Sequence, residues 1–138
     1  MRNCQHIVQI DTEGQGMTDI TSGVARWLAV EKVQTGLLTL FIRHTSASLT
    51  IQENADPTVQ VDLMDALDGL ASRDAPYRHH TEGPDDMPAH IRSMLTDVSL
   101  QVPVRDGRML LGTWQGIYVI EHRDRPHRRE VVMHYAGD

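Results

Sequence analysis

Cys4 is the only cysteine among 138 residues. That scarcity excludes an intrachain disulfide and any cysteine-cluster metal site. Lysine is as rare: twelve of the thirteen basic residues are Arg, and Lys32 is the exception. No apolar run approaches the length a membrane span needs, so no membrane partner is expected. The opening "MRNCQHIVQID" has neither a long apolar core nor a small-residue cleavage site. It reads as no signal peptide, and a cytoplasmic location is the expectation. Low-complexity tracts, internal repeats, linkers and an HExxH motif are also missing. Net charge is −6, from 13 basic and 19 acidic residues, so there is no general basic field. Nucleic acid is therefore not an expected partner.

What is present fits one domain over residues 1–138, long enough to bury a core of its own. Hydrophobic residues make up 40% and charged residues 23%, ordinary for a soluble globular chain. The arginine bias reflects either codon usage or a need to grip phosphate in a bidentate way. Eight histidines are the more informative excess.

Hydrophobic spacing predicts the elements. "CQHIVQID" (4–11) reads as a strand, and "TEGQGMTD" as a turn-rich connection. Thr18 or Asp19 caps a helix to about Val33, with Ile20, Val24, Trp27, Leu28 and Val30 as its apolar face. Strands follow at 37–44 and 47–52. Asp56-Pro57 starts a second helix, because Asp caps free N–H groups and Pro has none to lose. Its face is Val59, Leu63, Met64, Leu67 and Leu70. A long loop, with an extended piece possible at 77–80, leads to a short helix from Pro88, capped by Asp85 or Asp86. Ile91, Met94 and Leu95 form its buried face. Segments 98–104, 109–115, 116–122 and 129–135 alternate as strands, with Asp106-Gly107 as a hairpin turn. Connections this short predict an α+β class with largely antiparallel or mixed sheet layers and two to three helices.

Four polar segments carry candidate chemistry, and each also reads as plain structure. In "HTSASLTIQENADP", His44 sits at a strand end, Thr45, Ser46 and Ser48 are donors, and Glu53, Asn54 and Asp56 crowd a helix start. The alternative is a polar turn with a cap. "YRHHTEGPDDMPAH" offers His79, His80, Glu82, Asp85, Asp86 and His90, either a nitrogen/oxygen metal site or a solvated acidic loop. In "GTWQG", Trp114 either stacks on a ligand ring, with Gln115 reading its edge, or belongs to the core. "EHRDRPHRRE" holds Arg123, Arg125, Arg128 and Arg129, a phosphate clamp or a hairpin turn of internal ion pairs.

The stretch "SLQVPVRDGRMLLGTWQGI" (99–117) resembles the signature of the YjbQ-like family, also called the secondary thiamine-phosphate synthase family. "HTSASLTIQENADP" and "YRHHTEGPDDMPAHI" resemble its other two blocks, and the likeness runs along essentially the whole chain, though many members carry Asn at the position of Asp86. The resemblance implies a YjbQ-like α+β subunit, a homotrimer, and a polar site near subunit contacts. Its polar positions fall on His44, Thr45, Ser46, Glu53, Asn54, Asp56, His79, Glu82, Gly83, His90, Trp114, Gln115 and Arg129. It favours His79 over His80.

The implied activity joins an aminopyrimidine diphosphate to a thiazole phosphate and releases pyrophosphate. Under that expectation a divalent metal on His44, His79 and His90, helped by Arg129, neutralises the departing charge. Thr45, Ser46, Asn54, Glu82, Gln115 and Arg129 bind the phosphorylated metabolite, Trp114 stacks on its ring, and Glu53, Asp56 or His44 takes the catalytic role. Mg²⁺ prefers oxygen ligands, whereas three histidines suit zinc. That tension keeps two alternatives: a metal-dependent hydrolase of a small phosphorylated or amide substrate with Glu53 as base, and a non-enzymatic trimer that binds an anionic metabolite.

Overall fold

All of residues 1–138 are described by a computed structural model. Two antiparallel sheets face one another. The larger has five strands in the order β1 (Arg2–Asp11), β8 (Arg128–Gly137), β3 (Gly36–Ile42), β5 (Ser99–Arg105), β6 (Arg108–Met109). The smaller runs β2 (Gly16–Asp19), β7 (Gln115–Glu121), β4 (Ala47–Glu53). Helix α1 (Thr21–Glu31) follows β2, α2 (Pro57–Leu70) follows β4, and α3 (Asp86–Leu95) precedes β5. The α+β expectation is met, and every strand pair is antiparallel.

Period-two alternation builds the core. Leu38, Leu40 and Ile42 of β3, Val102 and Val104 of β5, and Val131, Met133 and Tyr135 of β8 point inward from one sheet. Ala47, Leu49, Ile117 and Val119 meet them from the other, and Val24 and Leu28 of α1 close one side. Val132, between two core residues, faces outward beside Ile7 and Phe41, which are 45% and 46% exposed. Gly36 and Gly137 oppose each other at one end of the β3–β8 pair, where a Cβ on Gly36 would run into the Ala136 carbonyl oxygen. No helix is long and apolar enough to cross a membrane.

Local chemistry set some boundaries as read from sequence. Asp56 caps α2, its carboxylate accepting from the Thr58 amide at 3.0 Å, with Pro57 first in the helix. Asp106 and Gly107 both have positive φ, 53° and 79°, as a type I′ turn between β5 and β6 requires. Elsewhere the structure departs from the sequence reading. Residues 16–19 are strand β2, held by pairing with β7 rather than by an apolar pattern of their own. Helix α1 starts only at Thr21, whose amide donates to Asp19 Oδ1 at 2.9 Å, and Val30 lies on its wet side. Of 109–115, Met109 ends β6, Gln115 starts β7 and the residues between are in neither; 77–80 is not a strand.

Helix α3 differs most. Its buried face is Asp86, Pro88, Ala89, Arg92 and Ser93, while Met94 and Leu95 are 81% and 53% exposed. The reason is tertiary. Arg92 is fully buried, donating from Nη2 to the His122 carbonyl at 2.9 Å and from Nη1 to Asp68 at 3.1 Å. Those partners turn the polar side of the helix inward.

Candidate functional site

β4 carries polar groups at both ends, and the fold uses the two ends differently. Ala47 pairs with Glu121 and Glu53 with Gln115. The six steps between them span about 20 Å. His44, Thr45 and Ser46 precede β4 at one end. Glu53, Asn54, Asp56, Trp114 and Gln115 stand at the other. One chain therefore does not bring the expected site residues into a single cavity.

At the Glu53 end the side chains are occupied with their own backbone. Glu53 accepts from the Asp56 amide at 2.8 Å, and Gln115 Oε1 accepts from the Gly112 amide at 2.8 Å. Asn54 Nδ2 reaches the Gln115 carbonyl at 3.4 Å. The bonds from Thr58 hold the Asp56 carboxyl below its usual range, as expected of a cap. Trp114 is 63% exposed on a turn and is not core.

The other end is where imidazoles and acids meet. Asp86, the first residue of α3, lies one helical turn before His90, and the loop places His79 beside both. The ligand atoms of His79, Asp86 and His90 all lie within 4.8 Å of one another. His79 Nε2 is 2.6 Å, and His90 Nε2 3.1 Å, from the same oxygen, Asp86 Oδ2. His90 Nδ1 sits 2.9 Å from the Thr45 carbonyl oxygen, which only accepts. The Nδ1 proton therefore belongs to that bond, and the Nε2 lone pair of a neutral ring points at a carboxylate oxygen. Two acceptors at that distance repel unless a cation, either a proton or a metal ion, lies between them.

The surroundings suit a metal. Ligand atoms around a tetrahedral zinc-type ion at ~2.1 Å lie ~3.4 Å from one another. The His90–Asp86 pair is close to that spacing, and His79, with its side chain 43% exposed on a loop, has less than an ångström to open. Arg123 Nη1 holds the other oxygen, Asp86 Oδ1, at 2.8 Å, and Arg123 Nε is held by Asp85 at 2.9 Å. This outer layer orients the carboxylate and leaves Oδ2 to the two imidazoles. Burial alone would push the Asp86 carboxyl up, but His79, His90 and Arg123 together bring it below its ordinary value. Asp85 is likewise raised by burial and then brought to about 2 by Arg123 and the Asp124 amide.

His44 is near this cluster and not part of it. Its Nε2 accepts the Glu130 amide at 2.8 Å, and its Nδ1 lies 3.3 Å from Arg129 Nη1. Burial, then Arg129, lower its pKa. Arg129 is itself buried and forked onto Glu121, with Nε 2.8 Å from Oε1 and Nη2 on Oε2. The same Nη2 donates to Ser46 Oγ at 3.0 Å. Glu82 contributes its carbonyl to Arg123, at 3.0 Å, and its side chain is exposed. His80 is exposed and outside the cluster.

Comparison with known proteins agrees with the two-sheet fold. The family described as "UPF0047 protein YjbQ-like" matches residues 6–138. The chain belongs to this family. The UPF0047 protein sll1880 of Synechocystis is 51% identical over 99% of this chain and 94% of its own length. The YjbQ protein of Salmonella typhimurium is 42% identical over 97% of this chain and 98% of its own. A crystal structure of a conserved hypothetical protein from Thermus thermophilus superposes with a TM-score of 0.81 at 41% identity, covering 92% of this chain and 97% of that one. A YbjQ-like protein from Sulfolobus solfataricus, only 18% identical, shares the fold with a TM-score of 0.88, over 99% and 100% of the two chains. The YjbQ-like assignment is thus shown for sequence and fold alike.

In this YjbQ-like chain Asp86, and not His44, is the third residue grouped with His79 and His90. The signal was there: Asp86 and His90 are four apart, which puts them on one face of a helix. Arg123 and Glu121 also stood in view, within a segment that reads equally well as a charged turn.

Proposed function

We propose that the chain is an enzyme acting on a small phosphorylated or amide substrate at a zinc-type divalent centre held by His79, Asp86 and His90. One observation supports it above the rest: the Thr45 carbonyl fixes the His90 tautomer so that its free lone pair and His79 converge on one carboxylate oxygen. A metal bound there would supply Lewis-acid polarisation and leave one position for substrate. The chain's own residues do the remainder. Arg123 fixes the carboxylate, and Thr45 fixes His90. Arg129 and His44, on the other side of Thr45, face the space a substrate would fill. Two histidines and one carboxylate suit zinc better than Mg²⁺, and this favours hydrolysis over transfer.

The thiamine-phosphate synthase reading is the second. Trp114 keeps it open, since a large aromatic that is 63% exposed invites a stacking partner. Trp114 stands about 20 Å along β4 from Thr45, so this reading also needs the homotrimer, with one chain's far end against another's near end.

Phosphate esters and amides, screened with Zn²⁺, Mn²⁺ and Mg²⁺, test the proposal. Turnover should require a zinc-type ion and fall at least about 100-fold after chelation or in Asp86→Asn or His90→Ala, with the circular dichroism spectrum kept. Turnover with Mg²⁺ alone would favour the synthase, and turnover indifferent to chelation would remove the metal from the account.

A further inference from the structure

The cavity next to the metal-type cluster contains an arrangement that its own residues do not resolve. It measures about 450 Å³ and is lined by Phe41, Arg43, His44, Thr45, Val98 and Arg129 among others. The Glu130 amide donates to His44 Nε2 at 2.8 Å. An amide cannot accept, so in a neutral ring the proton sits on Nδ1. Burial and the neighbouring guanidinium, which lower the His44 pKa, favour that neutral ring. Arg129 Nη1 lies 3.3 Å from the same Nδ1, and a guanidinium nitrogen carries only donors. Two N–H groups thus face each other without an acceptor between them. The rest of the guanidinium is committed, with Nε and Nη2 on Glu121 and Ser46. Arg129 is 4% exposed, so it cannot swing away to water.

We propose that this cavity is an oxyanion site, in which Arg129 Nη1 and His44 Nδ1 share one oxygen of a phosphate or carboxylate borne by a small metabolite with an apolar stem. An anionic oxygen accepts both bonds at once and removes the donor–donor clash. Phe41 and Val98, 46% and 43% exposed, offer the stem an apolar wall. Thr45 joins the two sites: it lines this cavity, and its carbonyl holds His90. The inference deepens the proposed function by naming the substrate's anchoring group, and it rests on that reading only for what happens at the far end. Glu121 already balances the charge of Arg129, so the anchor works by directed hydrogen bonds and not by net charge. Inorganic phosphate alone should therefore bind in the millimolar range.

The test uses the full chain stripped with a chelator, so that it stands whether or not a metal binds. Side-chain ¹⁵N spectra of His44 and the arginines are followed at constant ionic strength during addition of inorganic phosphate, phenyl phosphate or benzoate, against chloride. The His44 Nδ1–H signal should shift saturably with phosphate or with benzoate, and the tighter of phenyl phosphate and benzoate identifies the anion. Affinity should fall about 10-fold or more in His44→Phe. Phe41→Ser should weaken phenyl phosphate or benzoate while leaving inorganic phosphate unchanged, which keeps the test alive if His44→Phe does not fold. Shifts no larger than those with chloride, no saturation up to about 50 mM, or binding unaltered by both substitutions would overturn the proposal and leave water as the slot's occupant.

Discussion

His122 makes this fold acid-sensitive in a defined window. The ring is fully buried, with Nε2 2.8 Å from Ser48 Oγ and Nδ1 without a partner. Burial first, then the charge of Arg92, lower its pKa from 6.5 to about 4. Its folded pKa lies below the unfolded one, so the unfolded chain binds the extra proton between pH 6.5 and 4, and stability falls as pH drops through that range. Weighing both protonation states, the loss from pH 7 to pH 5 is about 2 kcal/mol for this one ring. His44, also lowered, adds to it in the same direction. Most carboxylates stay ionised at pH 5, so they contribute little there. Urea unfolding at pH 7, 6 and 5 measures the effect; for a chain of this size the midpoint should drop by about 1 M. In His122→Gln, which keeps a partner for Ser48, most of that drop should vanish. A flat profile in the natural protein, or the same drop in the variant, would refute the assignment.

Arg92→Met should cost about 2–3 kcal/mol by thermal melting, because it strands the buried His122 carbonyl that Nη2 now satisfies at 2.9 Å. It should also reduce the acid sensitivity, since a positive charge beside His122 is gone. Asp56→Ala removes the acceptor of the Thr58 amide, and the midpoint of denaturant titrations should fall. Gly36→Ala should cost about 2 kcal/mol or more of stability in thermal melting, since the colliding atom is the Ala136 carbonyl oxygen, fixed in the sheet ladder.

Features legible in the sequence were those whose cause is local. Asp56-Pro57 and Asp106-Gly107 declare a cap and a turn through their own side chains and backbone freedom. Strands β3, β4, β7 and β8 follow from alternation against a two-sheet core. Strand β2 was silent because its stability comes from β7. The inward face of α3 was misread because apolar spacing says nothing of Arg92, whose burial depends on His122 and Asp68, thirty and twenty-four residues away. For the site, residue types were legible and grouping was not. His79 and His90 do meet, with Asp86 and not His44 as the third member. Glu53 and Trp114 resemble members of the same site in sequence, yet β4 holds them at its opposite end. Only the strand's length, read as a rigid spacer, separates them.

Metal affinity tests the central claim most directly. Zn²⁺ titrated calorimetrically into chelator-stripped protein, alongside His79→Ala and His90→Ala, asks whether two imidazoles and the Asp86 carboxylate hold a cation. The account predicts saturable binding of a single ion per chain in the natural protein, weakened about 100-fold or more in either variant. Equal heats from all three proteins, or none above the buffer blank, would contradict it.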